Sequence, residues 1–508
     1  MNTIRRIDSR IAREPLFGVA TTRAIEGAAM RGLPEFALMG RAGDAVARLA
    51  IALAPHARSI VVYCGPGNNG GDGIEAASRL REMGKDASVR LYGDAAALPA
   101  DAARALVRAT RAGVRVDAAP NDAADTSPMP DLAIDALLGI GASRAPQGAI
   151  ATAIERIARL AAGGTRVLAV DTPSGLDLER GQPYGDACIV AHDTLSLLTI
   201  KPGLFTALGR DHAGCVWLDE LGVDAAAAEA DAWLVGRGDI SGDCRPRRHA
   251  QHKGSFGDVA VVGGATGMAG AGFLAARAAH AAGAGRVFLD LLGASNAVVA
   301  FDPLHPELML RRGWWEGPLD ALRASTVVCG CGGGDAVRAA LPRLIANAGR
   351  LVLDADALNA IAADSALQAM TAARAARQQE TILTPHPLEA ARLLGTTAQQ
   401  VQADRLLAAV DLADRYRAVV VLKGSGSVIA APGQRPCVNA TGNASLATAG
   451  TGDVLAGWIG GVWRPQAQAF DVATRGVIEH GAAAEPEQTG ALRAGDLIER
   501  LYRRSRGG

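Results

Sequence analysis

Apolar residues come in short runs along the first half of the chain: SIVVYC from Ser59, SVRLYG from Ser88, DLAIDALLG from Asp131 and TRVLAVD from Thr165. Between them lie segments such as EAASRLREMG from Glu75, whose apolar positions recur at helical spacing. Short apolar runs alternating with amphipathic segments predict βαβ units and a parallel sheet. The pattern lapses from Gly222 to Gly254, where DAAAAEADAWLVGRGDISGDCRPRRHAQHKG is rich in Ala, Gly and charge, and then restarts. FGDVAVVGG, RVFLDLL, STVVCG, RLVLDAD, ETILTPH and AVVVLKG are the strand candidates of the second half, with GFLAARAAHAAGAG and DRLLAAVDLADRYR among its helices. Two α/β domains are expected, residues 1–223 and 224–508, with the junction in the Ala-rich stretch. No repeat of fixed period occurs.

Composition supports this division. A chain of 508 residues is too long for one ordinary core, and 61 glycines, 49% hydrophobic residues and only 4% aromatics suit a glycine-looped α/β enzyme. Lys plus Arg and Asp plus Glu number 52 each, so overall charge points to neither nucleic acid nor an anionic membrane, and small-molecule partners are expected. Seven cysteines without regular spacing argue for a reducing, cytoplasmic setting; the lone pair Cys329 and Cys331 reads as small side chains at a strand end rather than a metal site. MNTIRRIDSRIARE lacks an apolar signal region and no long uncharged apolar stretch follows, so no membrane span is expected.

Ligands of open parallel sheets collect beyond the carboxyl ends of the strands, where the glycine-rich loops fall. In CGPGNNGGDG, residues Gly65, Gly67 and Gly70 fit G-x-G-x-x-G, and Asp94 stands about where a ribose-binding acid would. Asp72 argues against a dehydrogenase, because its carboxylate would face the pyrophosphate. DALLGIGASRAP from Asp135 and DTPSGLD from Asp171 complete a trio of polar strand-end loops. Asn69, Asp135 and Ser174 offer hard oxygen donors without thiolate or imidazole, a set suited to an alkali or alkaline-earth cation. Asp171, ending an apolar strand, is a candidate acid or base, and the NH groups of the GIGASRAP loop suit phosphate oxygens.

NNGGDG, D-x-L-L-G-x-G and D-T-P-S-G-L-D, followed by K-P-G-L-F at Lys201, closely resemble the NAD(P)H-hydrate epimerase domain over nearly all of residues 10–220. The resemblance implies a Rossmann-like fold and a substrate that is a hydrated nicotinamide cofactor, inverted at its C6 hydroxyl. It assigns substrate contact to Asn68, Asn69, Gly70, Gly71 and Asp72, to Gly139, Ile140, Gly141, Ala142, Ser143, Arg144 and Ala145, and to Asp171. It assigns a potassium ion to Asn69, Asp135 and Ser174. One departure is Gly40 in LMGRAG, where family members usually carry an acid. The dinucleotide-like loop then serves an altered dinucleotide, with no hydride transfer.

The second half holds no G-x-x-x-x-G-K-[ST], which argues against a P-loop enzyme. In TAGTGDVLAG, glycines precede an apolar helix, so the NH groups of Gly450, Thr451 and Gly452 suit an anion, and Asp453 is either a base toward a hydroxyl or a first-turn stabilising charge. With HKGSFGDVAVVGGATGMAGAG, LDADALN, LTPHPLEAARLL and LKGSGSVI in order, this half, from about His252, resembles the ADP-dependent NAD(P)H-hydrate dehydratase, a ribokinase-like domain. Ala271, His386 and Asp453 match substrate positions, and Gly332 and Gly334 fall in the loop CGCGGG, which departs from the family's G-P-G-L-G. Lys423, Gly424, Ser425, Gly426, Ser427 and Gly452 match the nucleotide site. Leu388 replaces a family glycine. Asp354 and Asp356 are either magnesium organisers or caps of the following helix, and the pair Trp314 and Trp315 is read as packing.

The combined resemblance implies a bifunctional cofactor-repair enzyme. One half interconverts R and S hydrates; the other dehydrates the S form with ADP as co-substrate, using Mg2+, and yields NAD(P)H, AMP and phosphate. Hydrated NADH or NADPH and ADP are the expected partners, with no nucleic acid or membrane, and a homo-oligomer is the expected assembly. The phosphate loops alone would equally serve a small-alcohol kinase; the fused first half is what such a kinase would not need.

Overall fold

The apolar runs form strands because β-branched residues buried on both faces suit parallel pairing. The protein, a computed structural model, is described over residues 3–118, 128–240, 248–293, 301–485 and 490–506. It divides into two compact units, one of residues 1–8 and 15–232, the other of 9–14 and 233–508. The division lies within the expected Ala-rich junction, of which residues 241–247, including Cys244, are outside the described residues. The short exchange of residues 9–14 into the second unit has no signal in the hydrophobic pattern.

The first unit is built on an eight-stranded sheet in the order Arg5–Ile7, Cys215–Asp219, Asp193–Leu197, Arg166–Val170, Leu132–Ala136, Ser59–Cys64, Asp86–Leu91, Arg115–Ala118. All neighbours are parallel except the edge strand Arg5–Ile7. Alternate residues of Ser59–Cys64 serve opposite cores, as the strand period requires. Ile60, Val62 and Cys64 pack with helices Ala37–Leu53, Asn68–Glu82 and Ala100–Arg111, whereas Tyr63 packs with Ala149–Ala162. The result is a three-layer unit whose strand order reverses between Ser59–Cys64 and Leu132–Ala136, the topological switch point at which a ligand crevice opens.

The second unit carries an eleven-stranded sheet ordered Met309–Leu310, Arg286–Leu291, Asp258–Gly263, Thr326–Cys329, Arg350–Leu353, Glu380–Leu383, Val419–Leu422, Val428–Ala430, Cys437–Asn439, Ala232–Val235, Arg13–Leu16. Its strands are parallel through Val419–Leu422, and Val428–Ala430 turns back antiparallel. Ala260 and Val262 face one core with helices Val337–Asn347 and Arg405–Tyr416; Val259 and Val261 face the other with Ala269–Ala281 and Thr451–Val462. The switch point here lies between Asp258–Gly263 and Thr326–Cys329. Among the described residues no helix is long and apolar enough to cross a membrane.

Helices Ala269–Ala281 and Thr451–Val462 approach closely because glycines line the contact. A Cβ at Gly457 would lie 2.1 Å from the Ala275 carbonyl oxygen, and one at Gly461 2.5 Å from that of Ala279. Gly457→Ala therefore sets two effects against each other. Helix propensity favours alanine by about 1 kcal/mol, while overpacking costs about 1–3 kcal/mol. A backbone clash this short cannot relax by side-chain rotation, so the second unit is expected to melt at lower temperature; a rise in calorimetry would refute this packing.

Candidate functional site

In the first unit, the segment after Ser59–Cys64 can turn only because it is glycine. A Cβ at Gly65 would meet the Leu137 carbonyl oxygen at 1.8 Å, and one at Gly70 the Gly65 carbonyl oxygen at 2.0 Å. The helix begins at Asn68, so all of NNGGDG is helical rather than loop. Asn69 abuts Gly139, and the second loop is tied to the third: Ser174 N donates to Asp135 Oδ2 at 2.8 Å and Ser174 Oγ to Asp135 Oδ1 at 2.6 Å. The Leu138 amide donates to Ser174 Oγ, and Tyr184 Oη to the Ala142 carbonyl. The three loops thus converge.

They border a cleft of about 710 Å³ lined by Asn68, Asn69, Asp72, the whole stretch from Gly139 to Ala145, Asp171 and Lys201. Gly70 and Gly71 do not line it. They are buried, where Gly71 makes room for Met39 and Ala102. Asp135 and Ser174 also lie beneath the lining, fully buried.

Asp171 sits at φ +65°, a left-handed conformation that a short polar side chain tolerates and that aims it away from its strand. Its Oδ1 accepts from buried Lys201 Nζ, which also donates to the Leu197 carbonyl at 2.7 Å and Ser196 Oγ at 3.3 Å. All three ammonium protons are satisfied, which is what lets the charge stay buried. Three further acids line the cleft, Asp72, Glu26 and Asp101. Burial, then the charges of Asp171 and Glu26, push Asp72 well above the usual carboxylate range. Burial and Asp171 likewise raise Glu26. One carboxyl held by a lysine beside carboxyls pushed upward by burial is an arrangement for acid and base chemistry on one substrate.

The cation reading can be tested on Asn69. Both its amide atoms are buried and without a hydrogen-bond partner among the described residues. A cation would give Oδ1 the partner it lacks, so the donor set fits. Burial pushes Asp135 up to about 6 against its hydrogen bonds from Ser174 and Leu137, a cost that a bound cation would offset.

In the second unit the loops after Asp258–Gly263 and Thr326–Cys329 touch: a Cβ at Gly332 would lie 2.9 Å from that of Ala271, and Gly334 borders Ala265 and Met268. Gly332 and Gly334 have φ of +57° and +51°, which favours glycine. The Gly334 amide donates to Asp356 Oδ2 at 2.8 Å. Asp354 makes no cap bond to its helix; its Oδ1 accepts from Lys423 Nζ at 2.7 Å and Thr384 Oγ1 at 2.8 Å. Gly452 leaves space for the Lys423 ammonium, 3.4 Å from where its Cβ would be. Asp453 follows in the first turn of Thr451–Val462, half-buried and pushed up to about 6 by burial and by Asp354. Lysine, glycine amide and acid stand together.

His386 has a structural task as well as a place near Lys423. Its Nδ1 accepts from the amides of Leu388 at 3.1 Å and Glu389 at 3.4 Å, capping Pro387–Leu394. Leu388 is exposed, and Trp314 is buried against Phe288, as packing predicts. In the loop Lys423 to Ser427, Gly424 and Gly426 have positive φ, and Ser427 Oγ donates to the Gly424 carbonyl; Ser425 lies between them. Beneath it, buried Arg405 donates to the carbonyls of Leu422, Lys423 and Gly426. His480, buried and pushed down to about 4, contacts the Thr451 carbonyl through Nε2 at 2.9 Å.

Arg405, His480, Glu26 and the role of Lys201 escaped sequence reading, because each acts from a helix or motif edge with no spacing signal. The described cysteines are free thiols.

Comparison with known proteins finds two families. The family described as NAD(P)H-hydrate dehydratase matches residues 259–503, and that described as YjeF-related protein N-terminus matches residues 35–203. The bifunctional NAD(P)H-hydrate repair enzyme Nnr of Escherichia coli K12 is 35% identical over 487 residues, covering 94% of this chain and 91% of that protein. The bifunctional NAD(P)H-hydrate repair enzyme of Leishmania braziliensis is 35% identical, covering 93% of this chain and 90% of that protein. Among solved structures, an ADP/ATP-dependent NAD(P)H-hydrate dehydratase from Bacillus subtilis co-crystallised with ATP and Mg2+ shares 27% identity, with a TM-score of 0.42 over 51% of this chain and 92% of that one.

Proposed function

Because this chain belongs to the bifunctional NAD(P)H-hydrate repair enzymes, we propose that its first, Rossmann-like unit epimerises hydrated NADH and NADPH and that its second, ribokinase-like unit dehydrates the S form with ADP. The observation that carries the reading is the pairing of a reactive acid with a lysine beyond the carboxyl ends of the strands in each unit: Asp171 with Lys201, and Asp453 beside the Lys423–Asp354 pair. We place the two functional domains at residues 1–223 and 224–508, a boundary a few residues before the division between the compact units at residue 232.

In the first unit an acid of the cleft, Asp72 or Glu26, gives a proton to the C6 hydroxyl, the C6–O bond breaks with the ring nitrogen lone pair forming an iminium, and the released water adds back on the opposite face as Asp171, held by Lys201, takes its proton. Asn68, Asn69 and the backbone from Gly139 to Ala145 border the cleft in which the dinucleotide is oriented. Asn69 Oδ1, Asp135 and Ser174 would hold a potassium ion, which would supply fixed positive charge to the cleft. In the second unit Asp453 takes the C6 hydroxyl proton. The hydroxyl oxygen attacks the terminal phosphorus of ADP and AMP departs; the C6–O bond then breaks as phosphate leaves, and C5 gives up a proton to solvent so that the C5–C6 double bond of the nicotinamide ring is restored. The loop from Lys423 to Ser427 and the Gly452 amide receive the nucleotide, and Ala271, Gly332, Gly334 and His386 border the nicotinamide side. Asp354 and Asp356 would be the protein donors to a magnesium ion brought by the nucleotide, which would neutralise charge on the phosphate oxygens. Free thiols suit a reducing cytoplasm, and a homo-oligomer is the proposed assembly.

Mixed R and S hydrate incubated with ADP should lose both epimers and regain NADH absorbance, with AMP and phosphate formed in equal amounts. Activity only with ATP, yielding ADP and a phosphorylated product, would make the second unit a small-alcohol kinase. Repeated in potassium-free buffer, epimerisation alone should slow; an unchanged rate, with Asp135→Ala also silent, would refute the cation.

A further inference from the structure

We propose that Cys331, Asp354 and Asp453 form a binding site for a thiophilic divalent cation of the zinc class, and that its occupancy stops dehydration by taking Asp453 out of use. The binding claim stands on geometry alone; only its consequence rests on the reading of Asp453 as the base.

One donor atom from each of the three residues lies within 4.8 Å of the other two. Zinc holds thiolate sulfur at about 2.3 Å and carboxylate oxygen at about 2.0–2.2 Å. Donors at tetrahedral angles on one ion are therefore about 3.4–3.6 Å apart, so a shift of each side chain by under about 1 Å toward a common centre closes the set. The donors come from separate strand ends and a helix, so the site is fixed by the sheet rather than by one loop. Cys331 follows Thr326–Cys329, and its backbone is pinned: its carbonyl accepts from Gly264 N at 2.8 Å. Its Sγ faces Asp354 Oδ2 at 3.9 Å. Lys423 and Thr384 occupy the other oxygen, Oδ1, leaving Oδ2 directed toward the sulfur.

Charge balance also favours the ion. Thiolate, two carboxylates, the Lys423 ammonium and a dication sum to zero, which suits a buried cluster. On binding, the Sγ–H bond breaks, the proton passes to solvent, and an Sγ–metal bond forms; no oxidant or reductant is consumed. Half-buried Asp453 marks the side from which an ion enters. Soft thiolate selects zinc or cadmium over magnesium, whose preference is for oxygen and water, so the inhibitory ion and the nucleotide's magnesium are distinguished by the sulfur.

The test uses the full chain without nucleotide. Titration with Cd2+ should raise a thiolate-to-metal charge-transfer band that Cys331→Ser removes and that Mg2+ does not produce. Zinc affinity, measured by competition with a chromophoric chelator, should fall at least about tenfold in Cys331→Ser. Asp453→Asn, which leaves the thiol in place, should keep the band but weaken zinc similarly, so the site is testable even where the cysteine variant does not fold. In wild type at buffered free zinc, dehydration should fall while epimerisation in the same tube continues. Equal zinc affinity in wild type and both variants would overturn the site, and dehydration at full rate with zinc bound would overturn the inhibition. A Cys331-dependent band in a chain that never dehydrates S hydrate in metal-free buffer would support the site and sink the dehydratase reading instead.

Discussion

Asp453→Asn is expected to slow recovery of NADH from the S hydrate by about a hundredfold to ten-thousandfold, the usual cost of losing a well-placed general base, while leaving epimerisation untouched. The substitution is isosteric and keeps the first-turn position in Thr451–Val462. The Lys423–Asp354 pair, which does not depend on Asp453, should still receive nucleotide. Calorimetry with AMP or ADP checks that, and unchanged dehydration in the variant would place the base elsewhere. The pH profile follows from the direction of the shift. Burial and Asp354 raise Asp453 to about 6, so the reactive carboxylate is lost as pH falls through that value, and kcat should rise from acid to neutral pH and then level. The terminal phosphate of ADP also titrates near pH 6. If the inflection belongs to Asp453 it disappears from the residual rate of Asp453→Asn; if it belongs to the nucleotide it stays.

What could be read from the chain was local. Runs such as SIVVYC and DVAVVG declare parallel strands because both faces are buried, and the α/β class follows from their rhythm. The glycine loops were visible for the same reason that they work: Gly65 and Gly70 admit backbone within about 2 Å of where a side chain would begin. Less legible were strands defined by pairing rather than composition. Val428–Ala430 and Cys437–Asn439 are three residues each and owe their existence to neighbours in the sheet. The start of the helix at Asn68 was hidden because glycines disguise a helical turn as loop.

The site residues divided similarly. Asp171 and Asp453 announce themselves by ending a strand or opening a helix. Their partners do not. Lys201 reaches Asp171 across 30 positions of sequence, Lys423 reaches Asp354 across 69, and Arg405 supports its loop from a helix that reads as ordinary amphipathic surface. Cys331 was legible as a residue but not as a donor, since a C-x-C without a second pair carries no metal signal until folding sets two carboxylates against it.

In the first unit, Asp171→Asn is expected to leave the R hydrate unconverted, a loss of about a hundredfold or more, while S hydrate is still repaired with ADP. The buried pair makes the stability consequence separable from the chemistry. Lys201 is 1% exposed and holds Asp171, a carbonyl and a hydroxyl. Lys201→Met leaves Asp171 facing a low-dielectric interior without its cation, and removing one partner of a buried pair costs about 3–5 kcal/mol. The double variant Asp171→Asn with Lys201→Met removes both charges and should regain part of that loss, because a neutral amide beside an apolar chain needs no counter-ion. It should regain no epimerisation. Thermal melting of the single and double variants measures the coupling, and chromatography of the two epimers measures the chemistry. If the double variant were as unstable as Lys201→Met alone, the lysine would be packing rather than pairing. If Asp171→Asn depleted R hydrate at the wild-type rate, the proton would have to move through another acid that lines the same cleft, Asp72, Glu26 or Asp101.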